Sequence, residues 1–263
     1  LETVISTDGT KIAYDSYGSG TTLVLVGGAI QHRVFDPQTA HLAKLLAAKF
    51  TVIHYDRRGR GDSTDTLPYE VQHEIEDIEA IIDALGSPAH LFGMSSGGAL
   101  AIQAALKLGG KVQKLAVYEV PYNDDPTAVS AWRTYRQNIT GSLAAGHKGD
   151  AIGHFMRLVG TPDEAIEGMK QSPAWAVFES IAPTLAYDAA ILGDDSTIPT
   201  AQAAAINIPT LVMVGSATFP FMLTTADGLT EVIPNAKKVV LEGQTHNVDP
   251  NLLAPVLLDF FST

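Results

Sequence analysis

Two serines stand side by side in His90–Leu100, HLFGMSSGGAL, with glycines on both flanks. A serine hydroxyl becomes a nucleophile only with a general base at hand and a backbone that exposes its oxygen. The frame Gly93-Met94-Ser95-Ser96-Gly97 has the form G-x-S-x-G, after an apolar run and before a helical pattern. A nucleophile on a sharp strand-to-helix turn needs residues without side chains two before and two after it. Ser95 meets that condition, whereas Ser96 has Met94 two residues before it. Ser95 is therefore the candidate nucleophile. Gly98 and Ala99 keep the next helix slim enough to lie against its strand.

The base must come from elsewhere in the chain, and the eight histidines are the candidates. His246 lies in EGQTHNVDP, in a loop after the last strand-like run, which places it at the same sheet edge as Ser95. His41, His73, His147 and His154 fall on helical stretches and read as surface residues, while His54 and His90 fall in strands. His246 is the candidate base, in the order serine before histidine. Charge developing on an attacked carbonyl oxygen calls for two aimed backbone N–H groups. One is expected from Ser96 and the other from the loop Val26-Gly27-Gly28-Ala29, with Ala29 the first choice and Gly28 the second.

What must position these residues is a sheet. After a hairpin of Thr3–Ser6 and Lys11–Tyr17 turning at Asp8-Gly9, apolar β-branched runs follow at Thr22–Val26, Phe50–Tyr55, Ala89–Phe92 and Lys114–Tyr118. Helical patterns at Pro37–Ala48, Tyr69–Leu85 and Ser95–Leu108 separate them. Nearly continuous apolar strands alternating with helices predict an α/β fold: a mostly parallel sheet with helices on both faces. From Pro121 to about Asn207 the pattern is helical only, broken by prolines. Strands resume at Thr210–Gly215 and Lys238–Gly243, with a helix near Leu223–Ile233 between them and another closing the chain. The expectation is a core of residues 1–120 and 208–263 with a helical cap, 121–207, inserted after the sixth strand.

Through VGGA, YDRRGRGDS (Tyr55–Ser63), GMSSGG and GQTH the chain resembles the α/β-hydrolase fold superfamily along nearly its whole length. The resemblance implies an eight-stranded, mostly parallel sheet and a Ser-His-acid triad with neither metal nor organic cofactor. In most such proteins the acid follows the strand after the cap, as Gly-x-x-Asp. Here that segment reads VGSATFPFMLTTAD, with no carboxylate before Asp227; Ser216, Ala217 and Thr218 stand where the acid belongs. Glu119, at the end of KLAVYEVPYN, is the replacement candidate. In this it resembles haloalkane dehalogenases and small zearalenone lactonases, which carry a Glu after the sixth strand. Asp227, Asp124, Asp125 and a Ser-His dyad are the alternatives, and Asp249 reads as a helix cap before Pro250. Arg57, Arg58 and Asp62 are expected to form structural ion pairs beneath the site.

A serine nucleophile excludes chemistry through an aspartyl ester and leaves acyl transfer to water, with esters and lactones foremost. A C–C bond hydrolase, a cofactor-free perhydrolase, or a ligand receptor with a silent triad are the rivals. Trp132, Tyr135, Phe155, Trp175, Phe178 and Phe219 are candidates to line an apolar cleft; the competing reading is that most form the cap's own core.

The bulk composition agrees with a small-molecule enzyme. A hydrophobic fraction of 46% with 17% charged residues describes a globular chain. The net charge of −12 disfavours nucleic acid as a partner. The absence of cysteine excludes disulfides, thiolate metal sites and a thiol nucleophile. No apolar run is long enough for a membrane span, so no membrane partner is expected. No basic-then-apolar leader pattern is visible, so a cytoplasmic setting is expected, with the chain as given starting at Leu1. The acidic surface neither demands nor forbids a dimer.

Overall fold

The computed structural model describes residues 1–86 and 88–263. Eight strands form one sheet: β1 (Glu2–Ile5), β2 (Lys11–Tyr17), β3 (Thr21–Val26), β4 (Phe50–Tyr55), β5 (Ala89–Met94), β6 (Val112–Tyr118), β7 (Thr210–Gly215) and β8 (Ala236–Leu241). Their order is β1-β2-β4-β3-β5-β6-β7-β8. The first hairpin joins the sheet antiparallel, with β2 against β4, and every later pairing is parallel. Around the sheet lie α1 (Pro37–Leu46), α2 (Val71–Leu85), α3 (Ser96–Leu108), α4 (Pro126–Ala144), α5 (Lys148–Leu158), α6 (Asp163–Lys170), α7 (Ala174–Ile181), α8 (Leu185–Leu192), α9 (Thr200–Ala203), α10 (Pro220–Val232) and α11 (Pro250–Ser262).

Successive strand side chains point to opposite faces, and both faces are covered. Leu23, Leu25, Phe92, Ala116 and Met213 pack with Leu42 and Leu46 of α1 and Leu257 and Phe261 of α11. Val24, Val26, Leu91, Val117 and Val214 pack on the other side with Ile78 and Ile82 of α2 and Leu100 of α3. Such strands are apolar at every position because neither face meets water. Three helices start at an Asp-Pro pair: the side chains of Asp36, Asp125 and Asp249 accept from backbone N–H groups of the first turns of α1, α4 and α11. The proline at the first helical position has no N–H to leave unpaired.

Elements α4 to α9 all fall between β6 and β7, the span expected to be helical only. Within this insertion α8 lies against α3, and Gln103 Nε2 of α3 donates to the Ile191 carbonyl at 2.8 Å. Some boundaries differ from expectation. The last strand ends at Leu241 because Gly243 turns the chain with φ 69°. The helix expected from Leu223 starts at Pro220, and that expected from Tyr69 starts at Val71. Among the described residues no helix is long and apolar enough to cross a membrane.

Candidate functional site

Ser95 follows the last residue of β5 and precedes the first of α3, with φ 56° and ψ −132°. Side chains other than glycine avoid positive φ, so the conformation is held by its surroundings. The surroundings leave no room for a Cβ at either flanking glycine. At Gly93 it would lie 2.5 Å from the Gly97 carbonyl oxygen, and at Gly97 2.3 Å from the Val26 carbonyl oxygen. The turn thus packs directly on the end of β3. A Cβ at Gly28 would stand 3.0 Å from Ser95 Cβ, so the loop after β3 borders the serine.

Glu119 is placed the same way one strand further along. It follows the last residue of β6 with φ 47°, and its N–H donates to the Met213 carbonyl of β7 at 3.0 Å. Its side chain is buried, not solvent-facing, with the residue 3% exposed. Oε1 accepts from the Gly215 N–H at 2.9 Å; Oε2 accepts from Thr218 Oγ1 at 3.0 Å and meets His246 Nδ1 at 2.7 Å. An ionised carboxylate only accepts, so Nδ1 carries the proton, and in the neutral imidazole the Nε2 lone pair stays available. The histidine loop is pinned beside it: Tyr118 Oη donates to the Thr245 carbonyl at 2.6 Å and the Ala217 N–H to the Gln244 carbonyl at 2.9 Å. Burial, with the Glu119 carboxylate next, pushes the Tyr118 phenol well up, so it remains a donor. Among the described residues no hydrogen bond joins Ser95 Oγ to the imidazole; such bonds often tighten only around a substrate.

The other carboxylates weighed for this place are engaged elsewhere. Asp227 pairs with Lys238, Asp124 Oδ1 accepts from the Ile198 N–H at 2.9 Å, Asp125 caps α4 and Asp249 caps α11. Ser216, where an acid is usual, accepts the Gly243 N–H at its hydroxyl. In the loop after β3 the Gly28 N–H donates to Gln31 Oε1, so the second-choice oxyanion donor is occupied. Among the described residues no acceptor takes the N–H of Ala29 or Ser96.

YDRRGRGDS supplies the ion pairs expected of it. Arg57 meets both Glu74 oxygens and Asp188 Oδ1, each at 2.7 Å. Arg58 pairs with Asp77 and Asp8, and Asp62 with Arg33. Sequence reasoning missed Arg60 and Asp188. The Arg60 Nη2 lies 2.7 Å from Asp188 Oδ2, and Ser96 Oγ donates to Asp188 Oδ1 at 2.8 Å. Burial alone would raise the Asp188 carboxyl, but Arg60 and Arg57 beside it hold it below the ordinary carboxylate range.

The aromatic candidates divide. Trp132 and Tyr135 on α4 and Trp175 on α7 are buried in the helical insertion; the Trp132 indole donates to the Gly193 carbonyl and its ring packs on Tyr135 at 5.3 Å. Packing within the hydrophobic core takes up most of the surface of these three. Phe155 and Phe178 are half-buried against the same cluster. Phe219 is the exception: 52% exposed, it follows Thr218, packs near Phe221 and comes within reach of Gly160 after α5. Among the described residues no group of three or more His, Asp or Glu is gathered as metal ligands would be.

The model of the family described as "Alpha/beta hydrolase family" matches residues 23–255. A solved alpha/beta hydrolase from Sphaerobacter thermophilus is 49% identical, with 99% of this chain and 100% of that chain covered and a TM-score of 0.86. A non-heme haloperoxidase of Rhodococcus erythropolis is 24% identical over 93% of this chain and 92% of its own length. The protein named "Putative carbamate hydrolase RutD" of Caulobacter vibrioides is 36% identical over 84 residues, which is 31% of this chain and 31% of that protein.

Proposed function

From a chain that belongs to the alpha/beta hydrolase family, we propose a serine hydrolase that cleaves a carboxylic ester or lactone of a moderately apolar small molecule. The observation that carries the reading is the 2.7 Å contact of Glu119 Oε2 with His246 Nδ1, at the sheet edge where Ser95 occupies its strained turn. Ser95 Oγ attacks the carbonyl while His246 Nε2 takes its proton. The N–H groups of Ala29 and Ser96 receive the oxyanion, and His246 then hands the proton to the leaving oxygen. Water, deprotonated by the same imidazole, releases the acyl group from Ser95. Glu119 keeps the imidazole in the productive tautomer and stabilises the imidazolium.

Residues 121–207 serve as a cap over this edge, carried by the core of 1–120 and 208–263. Phe219, exposed beside the Thr218 that holds the acid, supports an apolar group on the substrate. A panel of p-nitrophenyl esters and lactones of graded chain length and ring size, run with wild type and Ser95→Ala, tests the reading. Turnover lost in Ser95→Ala is the expected result. A folded wild type that neither turns over the panel nor takes a fluorophosphonate label at Ser95 contradicts it and favours a ligand receptor.

A second reading draws on the full-length likeness to the non-heme haloperoxidase. On the same triad, peroxide attacking the acyl-serine would give a peracid. Acetate-dependent monochlorodimedone bromination faster than ester hydrolysis would favour it.

A further inference from the structure

The guanidinium of Arg60 is buried and bridges the loop beside Ser95 to the helical insertion. Nη1 donates to the Gly28 carbonyl at 2.6 Å, Nη2 lies 2.7 Å from Asp188 Oδ2, and Nε donates to Thr184 Oγ1 at 3.0 Å. Gly28 C=O and Ala29 N–H belong to one planar trans peptide, in which oxygen and hydrogen point to opposite sides. Holding the oxygen down on a buried cation turns the Ala29 N–H away from that cation. It also polarises the amide, so the N–H becomes a stronger donor. Arg57 Nη1 reaches the preceding carbonyl, of Gly27, at 3.3 Å, so the loop is held at two successive peptides.

The residue that carries the other proposed oxyanion donor, Ser96, binds the same carboxylate through its side chain. Ser96 Oγ donates to Asp188 Oδ1 at 2.8 Å, and that oxygen also meets Arg57. Asp188 lies on α8 within the helical insertion, while Gly28, Arg60 and Ser96 belong to the surrounding core. Both donors are thus tied to one buried side chain that the insertion delivers. The four charged groups, Arg57, Arg60, Glu74 and Asp188, balance one another, which is what a buried set requires.

We propose that Asp188 and Arg60 are positioning residues for the oxyanion-binding N–H pair, so that docking of α8 against the core aligns the Ala29 and Ser96 amides for the transition state. This rests on the hydrolase reading above. A mere staple holding the insertion in place would also use buried ion pairs, but it would not act on the transition state selectively. Arg58, in the same motif, provides the contrast: it is buried on Asp77 and Asp8 and touches neither loop peptide.

The test compares wild type, the charge-balanced Arg60→Gln/Asp188→Asn, Ser96→Ala and Arg58→Gln. Each is assayed for p-nitrophenyl butyrate hydrolysis and for inhibition by an alkyl trifluoromethyl ketone, whose hemiketal oxyanion occupies the same N–H pair. Rates are normalised to folded protein. In the double variant kcat falls between about 10- and 100-fold with KM within about threefold, and ketone affinity falls by a similar factor. Arg58→Gln lowers Tm and leaves both readouts in place. Should the double variant not fold, Ser96→Ala carries the test, with about a three- to tenfold loss in kcat and in ketone affinity alike. Unchanged kcat and ketone affinity in the folded variants, or a raised KM at unchanged kcat, overturns the proposal. Wild type without Ser95-dependent turnover defeats the hydrolase reading instead. The Ala29 and Ser96 amide NMR resonances then decide: shifted in the double variant, the coupling stands; unshifted, it falls.

Discussion

Glu119 and His246 lie 127 residues apart in sequence, one after β6 and the other after β8, and their side chains meet at 2.7 Å beside the end of β7, the strand between those two. The carboxylate follows the end of β6, one strand before the position at which the family resemblance led the acid to be expected. Glu119 reaches this place with φ 47°, a backbone conformation that side chains other than glycine rarely adopt. The Gly215 N–H and the Thr218 hydroxyl, from the segment where an aspartate is usual, donate to the glutamate instead. Both donors to the Glu119 carboxylate thus come from the end of β7 and the segment just after it.

Thr218→Val removes one of these donors at nearly constant volume. A hydrogen bond to a buried carboxylate contributes about 1.5–3 kcal/mol, only part of which bears on the histidine. We expect kcat/KM to fall about three- to tenfold with KM unchanged. Steady-state kinetics on an ester substrate provides the check, and an unaltered kcat would show that Thr218 does not hold the acid.

Gly97→Ala should destabilise the protein by about 2–3 kcal/mol, because its Cβ would lie 2.3 Å from the Val26 carbonyl oxygen in a packed turn. Gly110→Ala, where nothing lies within 4 Å of a Cβ, should stay within about 0.5 kcal/mol of wild type. Urea unfolding of both variants measures the difference. Equal stabilities would mean that the elbow is not close-packed.

A pH dependence of stability is expected from His90. It is buried between Phe50 and Phe261 with Nδ1 unpartnered, and burial, aided by Lys114, pushes its pKa from 6.5 down to about 4. Between these values the unfolded chain binds a proton that the folded chain refuses. Stability from this group is therefore present above about 6.5 and is lost as pH falls toward about 4. Urea midpoints at pH 7 and pH 4.5 should drop less in His90→Phe than in wild type. An identical drop would mean that His90 takes up its proton in the folded state.

Phe219→Ala tests the substrate rim. For esters with an aryl or long acyl group we expect KM to rise about threefold to tenfold at constant kcat, and acetate esters to be unaffected, as for the loss of one partly buried apolar contact. Equal effects on all acyl lengths would place Phe219 outside the binding path.

The elements that make the site were legible because parallel strands buried on two faces write continuous apolar runs, as in Thr22–Val26 and Thr210–Gly215. Gly93 and Gly97 were legible because each is demanded by a backbone atom of α3 or β3. Glu119 could be singled out because it directly follows a strand, so its position fixed which edge it occupied. Asp188 could not: it is one acid on an insertion helix, 92 residues from the Ser96 it binds, and helical periodicity says nothing of which acid meets a partner in another layer. The burial of Trp132, Tyr135 and Trp175 was not legible for a related reason. Residue type marks a side chain as apolar, but packing alone decides which apolar surface it covers.

The most direct measurement is kcat/KM for Glu119→Gln beside Asp227→Asn, on one ester substrate and normalised to folded protein. Glu119→Gln keeps the size of the side chain but removes the charge that fixes the histidine tautomer. The account predicts a loss of about 10²- to 10⁴-fold for Glu119→Gln and near-normal activity for Asp227→Asn, whose carboxylate pairs with Lys238. Near-normal activity in Glu119→Gln, or a comparable loss in Asp227→Asn, would contradict it.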